Sequence, residues 1–206
     1  MSRCTSPGRA RRHRVAAAAA CGALALSLGA CEGTPDPREV HGALKYAAQA
    51  VEKRDARKLY RVVDERARHA MHSIVHDRRE AARLVRESYP EDERAQALRR
   101  LGEAAEVEDP PGLFAVRCDD ACLDDLEARI GAPDETHEDG EELVVHTARG
   151  TEVRLYRSAS GSWWGIVWNT DELAAERDKA NQDLRAIRRN AEIYERRREL
   201  DKHAGP

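Results

Sequence analysis

His69, His72 and His76 recur at intervals of three and four, so on a helix they share one face with Glu65 and Glu80. His72 and His76 have the i, i+4 spacing of a helical metal pair. At 100° per residue that face points almost opposite to the apolar stripe Val63, Ala67, Ala70 and Ile74, which exposes it. The favoured reading is a solvated face; the alternative is adventitious metal binding or a charge change near pH 6.5. A second group of chemistry-bearing residues is acidic: Asp119, Asp120, Asp124, Asp125 and Glu127 crowd around Cys118 and Cys122, and DETHEDGEE follows at 134–142. Calcium fits poorly. Gly140 comes one position late for a calcium loop starting at Asp134, and a start at Glu135 puts His146 where the bidentate Glu belongs. The acids read as helix N-terminal residues and a solvated hairpin loop. No serine or cysteine in a Gly elbow, no P-loop and no zinc-protease motif occurs, and no catalytic residue, resident metal or cofactor is expected.

All three Trp residues fall in GSWWGIVW, 161–168. Strand alternation puts Trp164, Ile166 and Trp168 on one face and Trp163 and Val167 on the other, with Gly165 leaving space beside them. A strand apolar on both faces is expected inside a sheet, covered on each side. Core packing is the favoured role. A ligand platform, with Trp163 its best member, is the alternative.

The elements that must position these residues follow from period and punctuation. Val40, Ala43, Leu44, Ala47 and Val51 mark a first helix, and Asp55 caps a second that carries Leu59, Val62, Val63, Ala67, Ala70, Ile74 and Val75. Two shorter helices are expected over 77–89 and 91–101, split by Pro90, before Pro110, Pro111 and Gly112 interrupt. A short strand at 113–116 and a helix over 120–130 come next. Strands at 143–148, 151–157 and 163–168 then form an antiparallel meander. Thr170 caps a long helix over 171–200, whose Ala180, Leu184, Ile187, Ala191 and Tyr194 make a seam. That seam either folds back on the domain or is offered to a partner or second copy. The sum is an α+β body: a helical N-terminal half packed on a small antiparallel sheet, with a long C-terminal helix.

The chain has 206 residues, 35% of them charged and 4% aromatic, which suits one domain with extensions and a modest core. Five Arg in the first thirty residues face no acid; without them 30 basic residues stand against 38 acidic, a balance of −8. Such a body is, taken as a whole, repelled by phosphate backbones and by anionic lipid, so nucleic acid is excluded as a partner.

Residues 1–14 are basic and 15–30 (VAAAAACGALALSLGA) are small and apolar, and the run stops at Cys31, the layout of a secretory signal. Sixteen Ala-rich residues fall short of the roughly 20 that a membrane-spanning helix needs. Leu28, Gly29, Ala30 and Cys31 resemble the lipobox of bacterial lipoproteins. The resemblance implies a diacylglyceryl group on the Cys31 sulfur, cleavage before Cys31 and acylation of the new amino terminus. Two or three acyl chains, at about 0.8 kcal/mol per buried methylene, anchor a protein stably where one does not. On this reading 1–30 are the signal peptide, 31–38 a tether, 39–170 the α+β domain and 171–206 the terminal helix and tail. Glu32 in place of Asp favours the outer over the inner membrane. With Cys4 and Cys21 removed and Cys31 acylated, Cys118 and Cys122 remain as a pair exported to an oxidising compartment, where a disulfide is expected.

ALKYAAQAVEKRDARKLYRVVDERAR, with the later GSWWGIVWN, resembles the nuclear-transport-factor-like superfamily, which includes SnoaL-like and ketosteroid-isomerase-like proteins. That likeness implies a cone-shaped α+β fold, used by enzymes and plain binding modules alike. In an isomerase-like cone a buried carboxylate and a tyrosine do the work, and Asp64 and Tyr60 are the residues that match. The functional expectation is a lipid-anchored envelope protein serving as a non-catalytic binding or scaffolding module. Its rivals are a cone-fold enzyme and an assembly protein acting through the 171–200 helix.

Overall fold

The computed structural model describes residues 35–204, which belong to one compact unit. Helix α1 (Val40–Glu52) buries Ala43, Leu44, Ala47 and Val51 of the expected stripe, with Val40 half-buried and Ala50 buried beside them. Asp55 caps the short α2 (Ala56–Leu59) by accepting from the Lys58 amide.

The expected long second helix does not form. A 3₁₀ turn (Tyr60–Val62) ends in extended Val63, and Asp64 then caps α3 (Glu65–Ser88). The break exists because the Asp64 amide donates to the carbonyl of Ile166 in the sheet, a bond a helical Asp64 would not make. Nor does a helix start at Asp77. Asp77 and Arg78 are buried mid-helix because both have polar partners across the next helix contact, so α3 runs through them unbroken.

Helix α4 (Glu91–Leu101) starts after Pro90 and ends at Gly102, whose φ of 69° suits glycine. The 113–116 segment is helix, not strand: α5 spans Pro110–Arg117. Its two prolines open the helix rather than interrupt the chain, since the first turn has spare amides and Asp109 accepts from the Gly112 amide. Helix α6 (Asp120–Arg129) follows, capped by Asp119.

The sheet is a four-stranded antiparallel meander in the order β1 (Pro133–Asp139), β2 (Glu142–Thr147), β3 (Glu152–Arg157) and β4 (Trp164–Ile166). Strand β1 replaces the expected acidic loop. It has no apolar alternation and is exposed along nearly its whole length, so backbone pairing with β2 is what holds it, aided by the Asp139–Arg154 ion pair. The Trp-rich strand is an edge, not an interior strand, and covers only three residues. Its outer side is closed by other chain segments, the Trp164 amide donating to Pro37 and the Ile166 carbonyl accepting from Asp64. Gly165 permits this approach: a Cβ there would sit 2.5 Å from the Asp64 Cα.

Helix α7 (Thr170–Ala204) packs along α3. Thr170 meets Asp64, Asn181 meets Asp77, Asp183 meets Arg78 and Glu195 meets Ser88, at nearly constant sequence offset, so the two helices run parallel. The Ala180, Leu184 and Ala191 seam is buried in this contact, and Ile187 and Tyr194 are half-buried. Of the two readings of the seam, the fold-back is the one observed. The main core lies between α1, α3, α5 and the sheet, with Leu44, Leu59, Met71, Ile74, Phe114 and Leu155 fully buried. No described helix is long and apolar enough to cross a membrane.

Candidate functional site

Asp64 is the most connected side chain in the body and is wholly buried. One carboxylate oxygen accepts from the Arg66 and Ala67 amides at 2.9 and 3.2 Å and from Arg66 Nε at 3.1 Å; the other accepts from the Thr170 hydroxyl at 3.0 Å. Together these bonds cap α3, dock the first residue of α7 and tie both to β4 through the Asp64 amide. Tyr60 is half-buried, its hydroxyl donates weakly to the Arg68 carbonyl at 3.5 Å, and burial raises its pKa against the opposing charge of Arg68. The Asp64 carboxylate is thus saturated by capping, and Tyr60 is turned to a backbone carbonyl.

Trp163 is half-buried beside Gly165. The guanidinium of Arg68 lies 4.3 Å from its ring centroid, so the face expected to be a platform already carries a cation. Arg66 stacks likewise on Tyr156 at 3.9 Å. Trp168 lies outside the strand and packs edge-on against Phe114, with ring centroids 4.8 Å apart.

His69, His72 and His76 are all exposed on α3, and His76 Nδ1 lies 3.0 Å from Asp77 Oδ1. Among the described residues no three His, Cys, Asp or Glu side chains are grouped to hold a metal ion. The histidines continue into a longer basic stripe that was missed in the sequence. Arg79, Arg83 and Arg86 extend the same three-and-four spacing, and all are exposed. This ridge lies between two grooves. One, of about 610 Å³, is closed opposite by Glu108, Asp109 and Pro110; the other, of about 460 Å³, by Arg177, Asp178 and Asn181 of α7. Arg79 donates to the Glu108 carbonyl, and Arg83 bridges Glu80 and Glu87. The Arg83 bond holds the Glu80 carboxyl below its usual range, and Arg57 does the same for Asp109. A second histidine pair, also unremarked in the sequence, stacks at 5.5 Å on the solvent face of the sheet: His137 and His146.

Cys118 and Cys122 are joined by a disulfide that links the C-cap of α5 to the first turn of α6, as expected. Cys31 lies outside the described residues. No protein-family model, curated protein or solved structure matches the chain. The lipobox and the cone-superfamily likeness therefore rest on the residues that carry them.

Proposed function

We propose that this chain is an exported lipoprotein, anchored through acyl chains on Cys31 at the cell envelope, whose body is a non-catalytic binding or scaffolding module. The observation that carries the module reading is the occupied interior. The space between the helices and the sheet is filled by Leu44, Phe114, Leu155 and Trp168, and Asp64, the carboxylate an isomerase-like site would use, is committed to four donors. Export is supported by the Cys118–Cys122 disulfide, a bond that persists in oxidising compartments. The small residues before Cys31 suit a scissile bond that must enter a peptidase, and the thiol is the nucleophile that takes the lipid. Glu32 favours the outer membrane, facing the periplasm. Detergent phase separation tests the anchor: the native sequence enters the detergent phase, and Cys31→Ser moves it to the aqueous phase. Equal partitioning of the two proteins rejects it.

A further inference from the structure

The ridge His69, His72, His76, Arg79, Arg83 and Arg86 covers about 26 Å of α3 at 1.5 Å per residue, with Glu65 at its start and Glu80 within it, the latter bonded by Arg83. Its residues line one open groove, and His72 and His76 also border a second, so the ridge side chains are reachable from solvent along their length. The charge around it is uneven. Residues 119–142, on α6 and the β1–β2 hairpin, hold eleven acids and one Arg, whereas the ridge itself is wholly basic or titratable. The chain enters the body near the start of this ridge. Pro37 is bonded to Trp164, and Asp64, at the N-cap of α3, to Ile166, two residues on in the same strand. Pro37 lies six positions after Cys31, a reach of at most about 22 Å.

We propose that the α3 ridge is a membrane-docking face that lies against anionic phospholipid headgroups when its histidines are charged. This rests on the lipid-anchor reading, which brings the body to a membrane, and adds which face meets it and when. Arg groups supply hydrogen-bond forks for phosphate oxygens. Imidazole side chains add charge as pH falls through the range between 8 and 5. The groups facing the ridge set its balance. On α3, Asp77 contacts His76, and Arg83 holds Glu80 and Glu87. From the facing loop come Glu108 and Asp109, the latter held by Arg57 and the Gly112 amide. From α7 come Arg177 and Asp178, with Arg188 acting on Glu80. With neutral histidines the ridge Arg groups are nearly offset by Glu80, Glu87 and Glu108. Three added charges tip the face positive, while the acidic α6 and hairpin are repelled from the surface.

The test is vesicle flotation of residues 31–206 carrying Cys31→Ser, so that no acyl chain contributes. Vesicles are either pure phosphatidylcholine or phosphatidylcholine mixed with the anionic lipid phosphatidylglycerol. The expected result is binding selective for phosphatidylglycerol at pH 5.5, weaker by roughly tenfold or more at pH 7.5. The triple variant H69Q/H72Q/H76Q, with far-UV circular dichroism as the folding check at three exposed positions, loses the pH dependence. Arg79→Gln with Arg86→Gln lowers binding at both pH values. Equal binding to both vesicle types, no binding at either pH, or an unchanged pH profile in the triple variant overturns the proposal. So does tighter binding to a hexaglutamate peptide than to vesicles, which would give the ridge to an acidic protein segment. The anchor is read separately, by phase partition of the native sequence.

Discussion

Replacing Asp64 by Ala removes the side chain that joins α3 to α7 and leaves the amide bond to β4 in place. Loss of an N-cap costs about 1 kcal/mol. The Thr170 hydroxyl and the Arg66 side chain lose an acceptor at a site where Asp64 is wholly buried, which adds about 1 to 3 kcal/mol. The total is about 3 kcal/mol, which for a body of this size lowers Tm by about 6 to 12 °C. Asp64→Asn keeps an acceptor oxygen for the helix amides and costs about 1 kcal/mol. The assay is urea unfolding with the disulfide intact, followed by circular dichroism and tryptophan fluorescence. A double-mutant cycle with Thr170→Val isolates the α3–α7 tie, with a coupling of about 1 kcal/mol. If Asp64→Ala cost less than about 1 kcal/mol, or if the cycle showed no coupling, the carboxylate would not be what ties α3 to α7.

Gly165→Ala places a methyl 2.5 Å from the Asp64 Cα and 2.8 Å from its amide nitrogen, and backbone cannot yield as a flexible side chain can. It is expected to destabilise by about 1 to 3 kcal/mol or more and to quench the Ile166–Asp64 bond, read as faster amide exchange at Asp64. Cys118→Ala with Cys122→Ala opens a loop of separation 4 and is expected to cost about 2 kcal/mol by chain entropy, checked by urea unfolding. Tyr194 donates to Glu93, and that bond, the largest cause, raises its pKa to about 12. Because the folded value lies above the ordinary one near 10, the associated stability is complete below about pH 10 and is lost as pH rises through 12. Ultraviolet titration should show two late tyrosines, Tyr60 raised by burial and Tyr194 by Glu93, of which Glu93→Gln returns only Tyr194 toward the ordinary range.

How much of this was legible in the sequence depended on whether burial or pairing set each element. Helices α1 and α7 announced themselves by apolar spacing that matches the faces they bury, and α4 and α6 by the punctuation around them, Pro90 before the one and Gly131 after the other. The continuity of α3 did not. His76, Asp77 and Arg78 read as a polar boundary, and only the facing Asn181 and Asp183 explain why they sit inside a helix. Strand β1 was hidden because PDETHED has no apolar residue to alternate; its partner strand makes it a strand. The LFAV run in α5 imitated a short strand, although Asp109 followed by Pro110 already carried the signature of a helix start. Asp64 was read as an interior helical residue with catalytic potential, and its capping role emerged only where Ile166 and Thr170 meet it. The arginine half of the α3 ridge was legible in the spacing of Arg79, Arg83 and Arg86, which continues that of the histidines.

The central claim is that fatty chains on one sulfur hold this body at an envelope. Mass spectrometry of the N-terminal peptide, taken from protein isolated in the membrane fraction of a bacterial host that processes lipoproteins, tests it most directly. The account predicts a peptide beginning at residue 31 with a diacylglyceryl group on Cys31 and an acylated amino terminus. A peptide beginning elsewhere, or one with Cys31 unmodified, would contradict it.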